Sequence, residues 1–374
     1  MSMVPLQHKA AGHEGPMQSN DGSLFVKPTT NQEIEFYNET QNRKMQLGQE
    51  VPYGNSLCDW MPEFVGVLYP GASNDLIRET GGNIQKELLD KATDTLELEG
   101  ENKQYLILNN SLYGFSQPSI MDIKLGSVLY DSSANHDKVK RMKHVSANTT
   151  SGSLKFRIAG MIIKDDFQGK LPAEIPGMKL EDVCTTEFER GYLTFNKYFG
   201  RKLTKDTVGE GLKIFFRYNK LPEKVQNLII QNFHTRLQML YNCLLDEEIR
   251  IVSGSLFFVF ENDITRWEKL FFEDPIIAPQ MTVEDDDDDD DDEEEDDEEL
   301  PYYTQKDGKN MIQIRKGTTE DEYTSDSETE NSDLAPLSTL KIIDFAHASY
   351  TPGKGHDEEI VSGIENLFGI IEHI

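Results

Sequence analysis

The stretch Pro118-Ser-Ile-Met-Asp-Ile-Lys-Leu-Gly126 predicts an apolar strand that carries an acid and a base two residues apart. Successive side chains of a strand point to opposite faces. One face carries the apolar side chains of Met121, Ile123 and Leu125. The other face carries Asp122 and Lys124, which a strand with one packed face can present to a cleft. From periodicity alone, a solvated strand with an ordinary surface ion pair is the simpler interpretation.

A second apolar segment, at 340–347, contains the pair Asp344-Phe345 where the predicted strand ends. Kinases place an Asp at the end of such a strand to hold Mg²⁺ on the nucleotide phosphates. Oxygen ligands suit this hard ion. The simpler alternative is an Asp that caps a turn, because Asp-Phe alone carries little information. The pair therefore predicts a metal site only together with other motifs.

Lys27 closes a short apolar run directly after the Gly-rich polar segment 12–22. This pattern predicts a strand that is entered through a hairpin. A helix is predicted next, with Asn31 as its N-cap. Kinases place the amine that contacts the α- and β-phosphates on such an early strand, and Glu33 or Glu35 on the helix could orient it. For Lys27 alone, an exposed strand lysine is the simpler alternative.

The composition is strongly acidic. The chain has 374 residues, 37% of them apolar, and a formal net charge of −30 from 67 acidic and 37 basic residues. Positions 284–299 form an unbroken acidic run. An acidic chain is a poor general binder of nucleic acid or of anionic membranes, so no direct contact with nucleic acid is expected. A polyanionic substrate would therefore have to meet a local basic patch.

A local basic patch does occur, in a segment that is predicted to be helical. This segment carries Lys138, Lys140, Arg141 and Lys143, and Lys155 and Arg157 follow nearby. Lys138 and Arg141 are three residues apart and share one helix face. Two unit charges about 4 Å apart interact by roughly 4 kcal/mol at an effective dielectric constant of about 20, so several such contacts would hold a tris- or tetrakisphosphate. The alternative is a solvated basic helix face.

Cysteine usage and apolar runs indicate the compartment. Cys58, Cys184 and Cys243 are odd in number, far apart and without a CxxC pair, which argues against a disulfide framework and a zinc site. No signal peptide is visible, and the apolar run near 256–260 is too short to span a bilayer. The expected location is the nucleus and the cytoplasm, without a transmembrane segment.

The order of predicted elements indicates an α+β fold with two lobes. A smaller lobe is predicted at 1–110 and a larger one at 111–374. The larger lobe should contain a helix at 222–245 with Pro222 in its first turn, a strand at 250–261 and a C-terminal helix at 363–374. Segment 70–100 is predicted to be a polar surface insertion. Segment 276–337 is predicted to be disordered, because it has too few apolar residues to offset its ordering entropy.

The order of these motifs resembles the inositol polyphosphate kinase family. The stretch 118–126 fits the family signature PxxxDxKxG. Four further matches follow the family order: Gly12-His13, Ser253-Gly-Ser-Leu256, Ile343-Asp-Phe345 and Gly363-Ile-Glu-Asn-Leu367. Segment 149–157 and the acidic insertion look like the fungal multikinases in particular, and some fungal members also regulate arginine metabolism. The absence of GxxxxGK[ST] and of an HRD loop excludes P-loop enzymes and ordinary protein kinases.

The resemblance implies a two-lobed kinase-like fold with antiparallel sheets and ATP bound between the lobes. By motif, Lys27 contacts the ATP phosphates, the backbone from Asn109 to Ser111 holds the adenine, and Asp122 binds the ribose. The resemblance implies that Asp344 binds Mg²⁺, with support from Ser255. It implies that Lys124 contacts the transferred phosphate or the inositol substrate. The substrate side of the site would be lined by Lys138, Arg141 and His347. The chain departs from the family pattern at Asn109, usually acidic, at Lys155, often Gly, and at Gly254, which interrupts a serine-leucine run.

The implied function is that of an inositol polyphosphate multikinase, which converts inositol 1,4,5-trisphosphate to tetrakis- and pentakisphosphates. Two alternatives stay open: a hexakisphosphate kinase or trisphosphate 3-kinase of the same family, and a transcription scaffold that has lost catalysis. The acidic run 284–299 is either a solvated spacer or a docking segment for basic partners such as DNA-binding transcription factors. The acidic run need not repel a polyanionic substrate if it stays more than about 8 Å away, because physiological salt screens the repulsion between charges at that distance. No residue is assigned as general base.

Overall fold

The computed structural model describes residues 3–6, 8, 10, 15–47, 51–68, 104–131, 133–187, 189–274 and 336–374. The motif at 12–13, the polar segment 70–100 and the acidic run 284–299 lie outside these ranges. The predicted insertion 276–337 also lies outside them, apart from its last two positions. Within the described ranges, no helix combines the length and the apolar character needed to cross a bilayer.

Five antiparallel strands form the first sheet, in the spatial order β1-β2-β3-β5-β4. Their bounds are β1 Met3–Pro5, β2 Met17–Ser19, β3 Leu24–Thr29, β4 Phe64–Leu68 and β5 Gln104–Asn109. The predicted hairpin before Lys27 is confirmed as the β2–β3 pair. The first described segment, β1, pairs with β2.

Helix α1, Asn31–Leu47, follows β3 and buries Ile34, Phe36 and Tyr37 in the main hydrophobic core. The predicted cap at Asn31 is wrong by one residue. Thr30 Oγ1 accepts the backbone N–H of Glu33 at 3.2 Å, so Thr30 caps the helix and Asn31 begins it. A hydroxyl that accepts an unpaired N–H of the first turn is the usual N-capping interaction. A short 3-10 helix, Leu57–Trp60, stands between α1 and β4.

The remaining strands form a six-stranded sheet and a two-stranded sheet, both antiparallel. Their bounds are β6 Pro118–Leu125, β7 Phe156–Lys164, β8 Cys184–Glu187, β9 Tyr192–Phe195, β10 Ile249–Ile251, β11 Ser255–Glu261, β12 Ser338–Ile343 and β13 Ala348–Tyr350. The larger sheet has the order β12-β11-β6-β7-β9-β8, and β10 pairs with β13. The motif strand β6 is therefore central. Helices and antiparallel sheets together confirm the expected α+β class.

The predicted single strand at 250–261 is wrong, because it is two strands in different sheets. The chain turns at Ser253, whose φ is +63°. Gly254 follows in a tight position, where an added Cβ would lie 2.5 Å from Ile251 Cγ2. This turn ends β10 and starts β11 beside β6, which places the first residue of β11, Ser255, opposite Lys124.

Eight α-helices are described, seven of them after β6. Beyond α1 they are α2 His136–Ala147, α3 Thr150–Leu154, α4 Lys197–Lys202, α5 Val208–Arg217, α6 Glu223–Asp246, α7 Ile264–Lys269 and α8 Glu358–Ile371. Pro222 stands at the N-cap of α6 and not in its first turn. Helix α8 begins five residues before the predicted start, because Asp357 Oδ1 accepts the backbone N–H groups of Glu359 and Ile360 and caps it there.

One hydrophobic core connects the two larger sheets. Met121, Ile123 and Leu125 of β6 are at most 1% exposed, which confirms the predicted apolar face of the motif strand. From the side of α1, the ring of Phe36 stacks on that of Phe345, with 5.0 Å between centroids. The core thereby holds α1 next to the residue that follows Asp344.

A buried cluster joins the chain ends on either side of segment 275–335. Asp274 Oδ1 accepts the backbone N–H of Ser338 at 3.0 Å. Arg236 Nη2 lies 3.4 Å from Asp274 Oδ2, and Asn232 Nδ2 donates to the same oxygen at 2.9 Å. Arg236 also donates to Ser338 Oγ at 2.5 Å. This Asp274 cluster holds the start of β12 against α6.

Candidate active site

The turn after β12 presents Asp344 to the cleft between the two larger sheets. Asp344 has a φ of +68°, in the left-handed region that non-glycine residues rarely adopt. Phe345 is fully buried, and its ring contacts those of Phe36 and Tyr37. Because Phe345 is held in the core, the left-handed turn directs the Asp344 side chain outward, and 41% of it remains exposed.

Two lysines converge on the Asp344 carboxylate. Lys124 Nζ lies 2.5 Å from Oδ2, and Lys27 Nζ lies 3.6 Å from Oδ1. Burial opposes charge on Asp344, but the two ammonium groups outweigh it and lower its pKa to about 2. Burial also opposes charge on Lys124, yet Asp344 and Asp122 raise its pKa above the ordinary value. Asp344 and Lys124 are therefore both charged at neutral pH.

Glu33 of α1 holds Lys27 in place. Its Oε1 accepts a hydrogen bond from Lys27 Nζ at 2.7 Å, and its Oε2 accepts one from Thr29 Oγ1 at 2.8 Å. Glu33 is 1% exposed, whereas Glu35 points to solvent. Of the two glutamates that the sequence left open, Glu33 is thus the one that orients Lys27.

Asp122 and Ser255 add two buried oxygens beside these charges. Burial raises the pKa of Asp122, and the charge of Lys124 partly offsets this effect. The Ser255 hydroxyl is near enough to lower that pKa slightly. Even so, Asp122 Oδ1 and Ser255 Oγ have no hydrogen-bond partner among the described residues. Buried polar atoms normally have partners, so these two are suited to bind a ligand.

The residues present fit a divalent metal that is shared with phosphates. In the described ranges, no group of three or more His, Cys, Asp or Glu side chains is arranged to hold a metal alone. Mg²⁺ is usually bound through one or two carboxylates plus substrate phosphates and water. Asp344, fully ionised and partly exposed, offers such a carboxylate, and the unpaired oxygens of Asp122 and Ser255 lie on the same side of the cleft. This donor set suits a metal that arrives with a nucleotide.

The linker after β5 offers one backbone donor for a base. The Asn109 N–H donates to Glu63 O at 2.9 Å, and Asn109 Nδ2 donates to Glu63 Oε2 at 2.6 Å. Asn110 N–H donates to Ser23 O at 2.8 Å. The Ser111 N–H has no partner in the part of the chain that the structure describes. An acidic residue at position 109 would be repelled by the Glu63 carboxylate, whereas the Asn109 amide donates a hydrogen bond to it. This contact explains why Asn suits position 109.

The predicted substrate-side residues do not all meet. Asp131 Oδ2 lies 3.5 Å from Lys138 Nζ and 3.5 Å from His347 Nε2, so these two side chains share one carboxylate. The hydrogen bond from the Ser133 hydroxyl lowers the pKa of Asp131 below the usual range. This effect is larger than the opposing effect of burial. Arg141 is exposed and forms no ion pair with a described residue.

The sequence analysis named Arg157 only beside the basic patch and gave Arg201 no role, although the structure brings the two guanidinium groups close together. Arg157 lies opposite Lys124 in the β6–β7 register. Its Nη1 and Arg201 Nε are buried without a partner in the described ranges. Burial, and then the charge of Arg201, lowers the pKa of Arg157 to about 10, against the pull of Asp122. Two neighbouring guanidinium groups, each with a buried nitrogen that lacks a hydrogen-bond partner in the described ranges, can bind an anion.

Lys155, which the sequence placed near the basic patch, turns away from it. Its Nζ lies 2.8 Å from Glu359 Oε1 and 3.0 Å from Ser127 Oγ. The residue has a φ of +59°, where relatives with Gly would be unstrained. Lys155 therefore connects β7 to α8 and is not available to a substrate.

Several known proteins resemble this chain over most of its length. The model of the inositol polyphosphate kinase family matches residues 105–372. An inositol polyphosphate multikinase of Saccharomyces cerevisiae is 40% identical over 370 residues, which are 98% of this chain and 96% of the relative. One of Schizosaccharomyces pombe is 29% identical and covers 70% of this chain and 80% of its own length. The crystal structure of the S. cerevisiae multikinase Ipk2 with ADP and Mn²⁺ superposes with a TM-score of 0.61 at 32% identity, over 94% of this chain and 99% of that one.

Proposed function

The chain belongs to the inositol polyphosphate kinase family, and from this premise we propose that it converts inositol 1,4,5-trisphosphate to tetrakis- and pentakisphosphates with ATP. The expected kinase-like fold and the expected kinase activity on inositol polyphosphates are confirmed by the family match and by the yeast relatives. The ADP and Mn²⁺ in the yeast structure support the expected use of ATP with Mg²⁺.

The observation that carries the proposal is the convergence of Lys27 and Lys124 on Asp344, with Arg157 opposite Lys124. Anionic phosphates can replace the Asp344 carboxylate as partners of both ammonium groups. Asp344 is then free to bind Mg²⁺, which when bound neutralises charge on the phosphates and holds them in place. Asp344 would hold the metal, and Lys27 and Lys124 would bind the phosphates.

Each residue has a distinct task in the proposed transfer. Lys27, held by Glu33, contacts the α- and β-phosphates. Lys124 binds the γ-phosphate while it is transferred to the inositol hydroxyl. Asp122 accepts a hydrogen bond from the ribose, and the Ser111 N–H donates to the adenine. Most of the rate enhancement would come from positioning and from charge stabilisation. The described geometry assigns no general base.

The substrate phosphates face a second set of cations. Arg157 lies opposite Lys124 and close to Arg201, and each arginine has a buried nitrogen without a partner in the described ranges, so we place one phosphate of the inositol there. Lys138 and His347 share Asp131 and can turn from that carboxylate to another phosphate. Arg141 is exposed on the same helix as Lys138 and is proposed as a further contact. This distribution of charge suits a substrate with several phosphates.

An assay of the purified protein with ATP, Mg²⁺ and inositol 1,4,5-trisphosphate, with products resolved by position, tests the proposal. We expect tetrakis- and pentakisphosphates from the wild type and none from Lys124→Ala. Lys213→Ala is a matched control, because Lys213 is exposed and pairs only with Glu210 on its own helix, at 2.9 Å. Phosphorylation of inositol hexakisphosphate alone would favour the hexakisphosphate kinase alternative. A folded wild type without turnover would favour the scaffold.

We further propose that the acidic run 284–299 docks basic DNA-binding transcription factors, and that the protein works in both the nucleus and the cytoplasm. The support is charge: an unbroken acidic segment attracts basic domains. This role would couple the kinase to transcription, including that of arginine metabolism. A pull-down with and without 284–299, read against fractionated cells, tests it. Equal recovery of basic partners would leave the run as a spacer.

A further inference from the structure

The carboxylate of Asp131 contacts two side chains that the proposed function gives to the substrate. Its Oδ2 lies 3.5 Å from Lys138 Nζ and 3.5 Å from His347 Nε2. Lys138 is in the first turn of α2, whereas His347 is in the turn between β12 and β13. Neither nitrogen has another partner in the part of the chain that the structure describes. Asp131 is therefore the group that the two side chains share.

The two carboxylate oxygens of Asp131 are held differently. Oδ1 accepts hydrogen bonds from the backbone N–H of Ser133, at 2.7 Å, and from the Ser133 hydroxyl. The backbone carbonyl of Asp131 accepts the Ala134 N–H at 3.2 Å, within the turn that leads into α2. In the described ranges, Oδ2 has only its two contacts of 3.5 Å. A strong charge-assisted hydrogen bond measures about 2.7–2.9 Å. The carboxylate is thus fixed through Oδ1 and paired weakly through Oδ2.

Asp131 places a lasting negative charge behind its two partners. The hydrogen bond from the Ser133 hydroxyl holds the pKa of Asp131 below its usual range, so the carboxylate is ionised at neutral pH. The Asp131 side chain is 12% exposed, whereas those of Lys138 and His347 are 42% and 37% exposed. A ligand that arrives from solvent therefore reaches the ammonium and the imidazole more easily than the carboxylate.

Lys138 can leave this carboxylate at little cost, because α2 is weakly packed. None of the residues of α2 is buried. The only other ion pair of this helix within the described ranges joins His136 to Asp137 at 4.0 Å, and both side chains are almost fully exposed. A lysine also has a long flexible stem. The Lys138 ammonium can therefore move from Asp131 to a phosphate oxygen without any change in the core.

We propose that Asp131 competes with a ligand phosphate for Lys138 and His347, and that this competition weakens the binding of the more phosphorylated products. The inference rests on the proposed function, in which each transfer adds a phosphate to the inositol. A product with more phosphates is attracted more strongly to the same positively charged side chains. Asp131 repels such a product and pairs with Lys138 again when the product leaves. Product release is thereby favoured.

A purely structural role for Asp131 predicts the opposite effect on binding. If the carboxylate only held α2 near β13, its loss would let Lys138 and His347 separate, and substrate would bind more weakly. If the carboxylate competes with phosphate, its loss makes the same ligand bind more tightly. The direction of the change in affinity therefore distinguishes the two roles.

Calorimetric titration of the full-length protein with inositol 1,4,5-trisphosphate and with an inositol pentakisphosphate, without ATP, measures this direction. Asp131→Asn removes the charge but keeps an oxygen that can accept the Ser133 N–H. We expect Asp131→Asn to bind the trisphosphate about fivefold and the pentakisphosphate about tenfold more tightly than the wild type. Inhibition by the pentakisphosphate should strengthen in parallel in kinase assays, with KM for ATP unchanged. Asp137→Asn is the matched control, because it removes the same charge from an exposed position in the first turn of α2.

Equal or weaker binding in Asp131→Asn than in the wild type would overturn the inference. The same gain in affinity in Asp137→Asn would also overturn it, since the gain would then reflect net charge alone. Asp131→Ser lacks the charge and keeps an acceptor, so it replaces Asp131→Asn if that variant does not fold. A wild type that binds neither ligand would overturn the proposed function and this inference together. Normal wild-type binding with unchanged affinity in Asp131→Asn would overturn this inference alone.

Discussion

Glu33 accepts a hydrogen bond from the backbone N–H of Phe345 at 3.1 Å, although 312 residues separate them in sequence. The same Oε1 atom accepts the bond from Lys27 Nζ. One buried carboxylate therefore sets the position of a lysine of the first sheet and of the turn that carries Asp344. It links the proposed phosphate contact to the proposed metal ligand.

Replacing Glu33 by Gln should separate these two groups. Glu33→Gln keeps the shape but loses the charge that pairs with Lys27, so we expect kcat/KM to fall about 10- to 100-fold and unfolding free energy to fall by about 1–3 kcal/mol. Steady-state kinetics with ATP varied, together with urea unfolding, measure both. Glu35→Gln is the control on the same helix, since Glu35 is exposed. Similar losses in both variants would contradict the linking role of Glu33.

Asp344→Asn should remove turnover with little effect on folding. Loss of one metal-binding carboxylate is expected to lower kcat at least about 100-fold. The side chain is 41% exposed, so the lost ion pairs should change unfolding free energy by no more than about 1 kcal/mol. Product analysis and thermal unfolding check this pair of results. Wild-type turnover in a folded Asp344→Asn protein would sink the proposed metal role.

Arg157→Gln should weaken binding of the inositol substrate without lowering the stability of the fold. The variant loses a cation opposite Lys124, so KM for inositol 1,4,5-trisphosphate should rise about 10-fold or more while KM for ATP stays constant. Unfolding free energy should stay equal or increase, because a poorly paired, partly buried charge is removed. Lys155→Gln is the neighbouring control, since Glu359 already holds that ammonium. An unchanged inositol KM in Arg157→Gln would remove Arg157 from the site.

Lys341 should make stability increase with pH on the alkaline side. Burial lowers its pKa to about 8, although Asp59, Cys58 and Glu63 act in the opposite direction. Its Nζ donates to the Asp59 carbonyl oxygen at 2.8 Å. Between pH 8 and 10 the unfolded chain keeps a proton on this lysine that the folded protein has lost. The folded state is therefore favoured as pH rises through this interval.

Urea unfolding of the wild type and of Lys341→Met at pH 7.5 and 9.5 isolates this effect. Other groups, such as the cysteines with raised pKa values, contribute equally to both proteins. Their contribution therefore cancels in the difference between the two unfolding free energies. The wild type should gain about 1–2 kcal/mol relative to the variant across the interval. A constant difference between the two proteins would show that Lys341 keeps an ordinary pKa.

The sequence predicted the local elements of the site well and their partners poorly. Alternation placed Asp122 and Lys124 on one face, but it suggested that they pair with each other. Lys124 pairs instead with Asp344, 220 residues away, because only the order of strands in the sheet brings β6 and β12 to the same cleft. A pattern with a period of two residues contains no information about that order.

Arg157 illustrates the same limit from the side of the substrate. It stands beside Phe156 in a motif that the sequence analysis quoted, yet nothing local shows that the β6–β7 register sets it opposite Lys124. The break in the chain before β11 could have been predicted from the sequence. Ser253-Gly254 interrupts an apolar run, and a glycine within a predicted strand is a sign of a bend or of close backbone approach.

The Asp274 cluster has a consequence for how this chain can vary. Asp274 and Ser338 are 64 positions apart, but they are joined by hydrogen bonds that also bind Arg236. The entropy of closing a flexible loop grows slowly, by about 0.6 kcal/mol for each doubling of length. Since Asp274 and Ser338 are fastened to each other where β12 begins, a change in the length of segment 275–335 should cost little free energy. The register of β12, which leads to Asp344, should therefore not depend on the length of that segment.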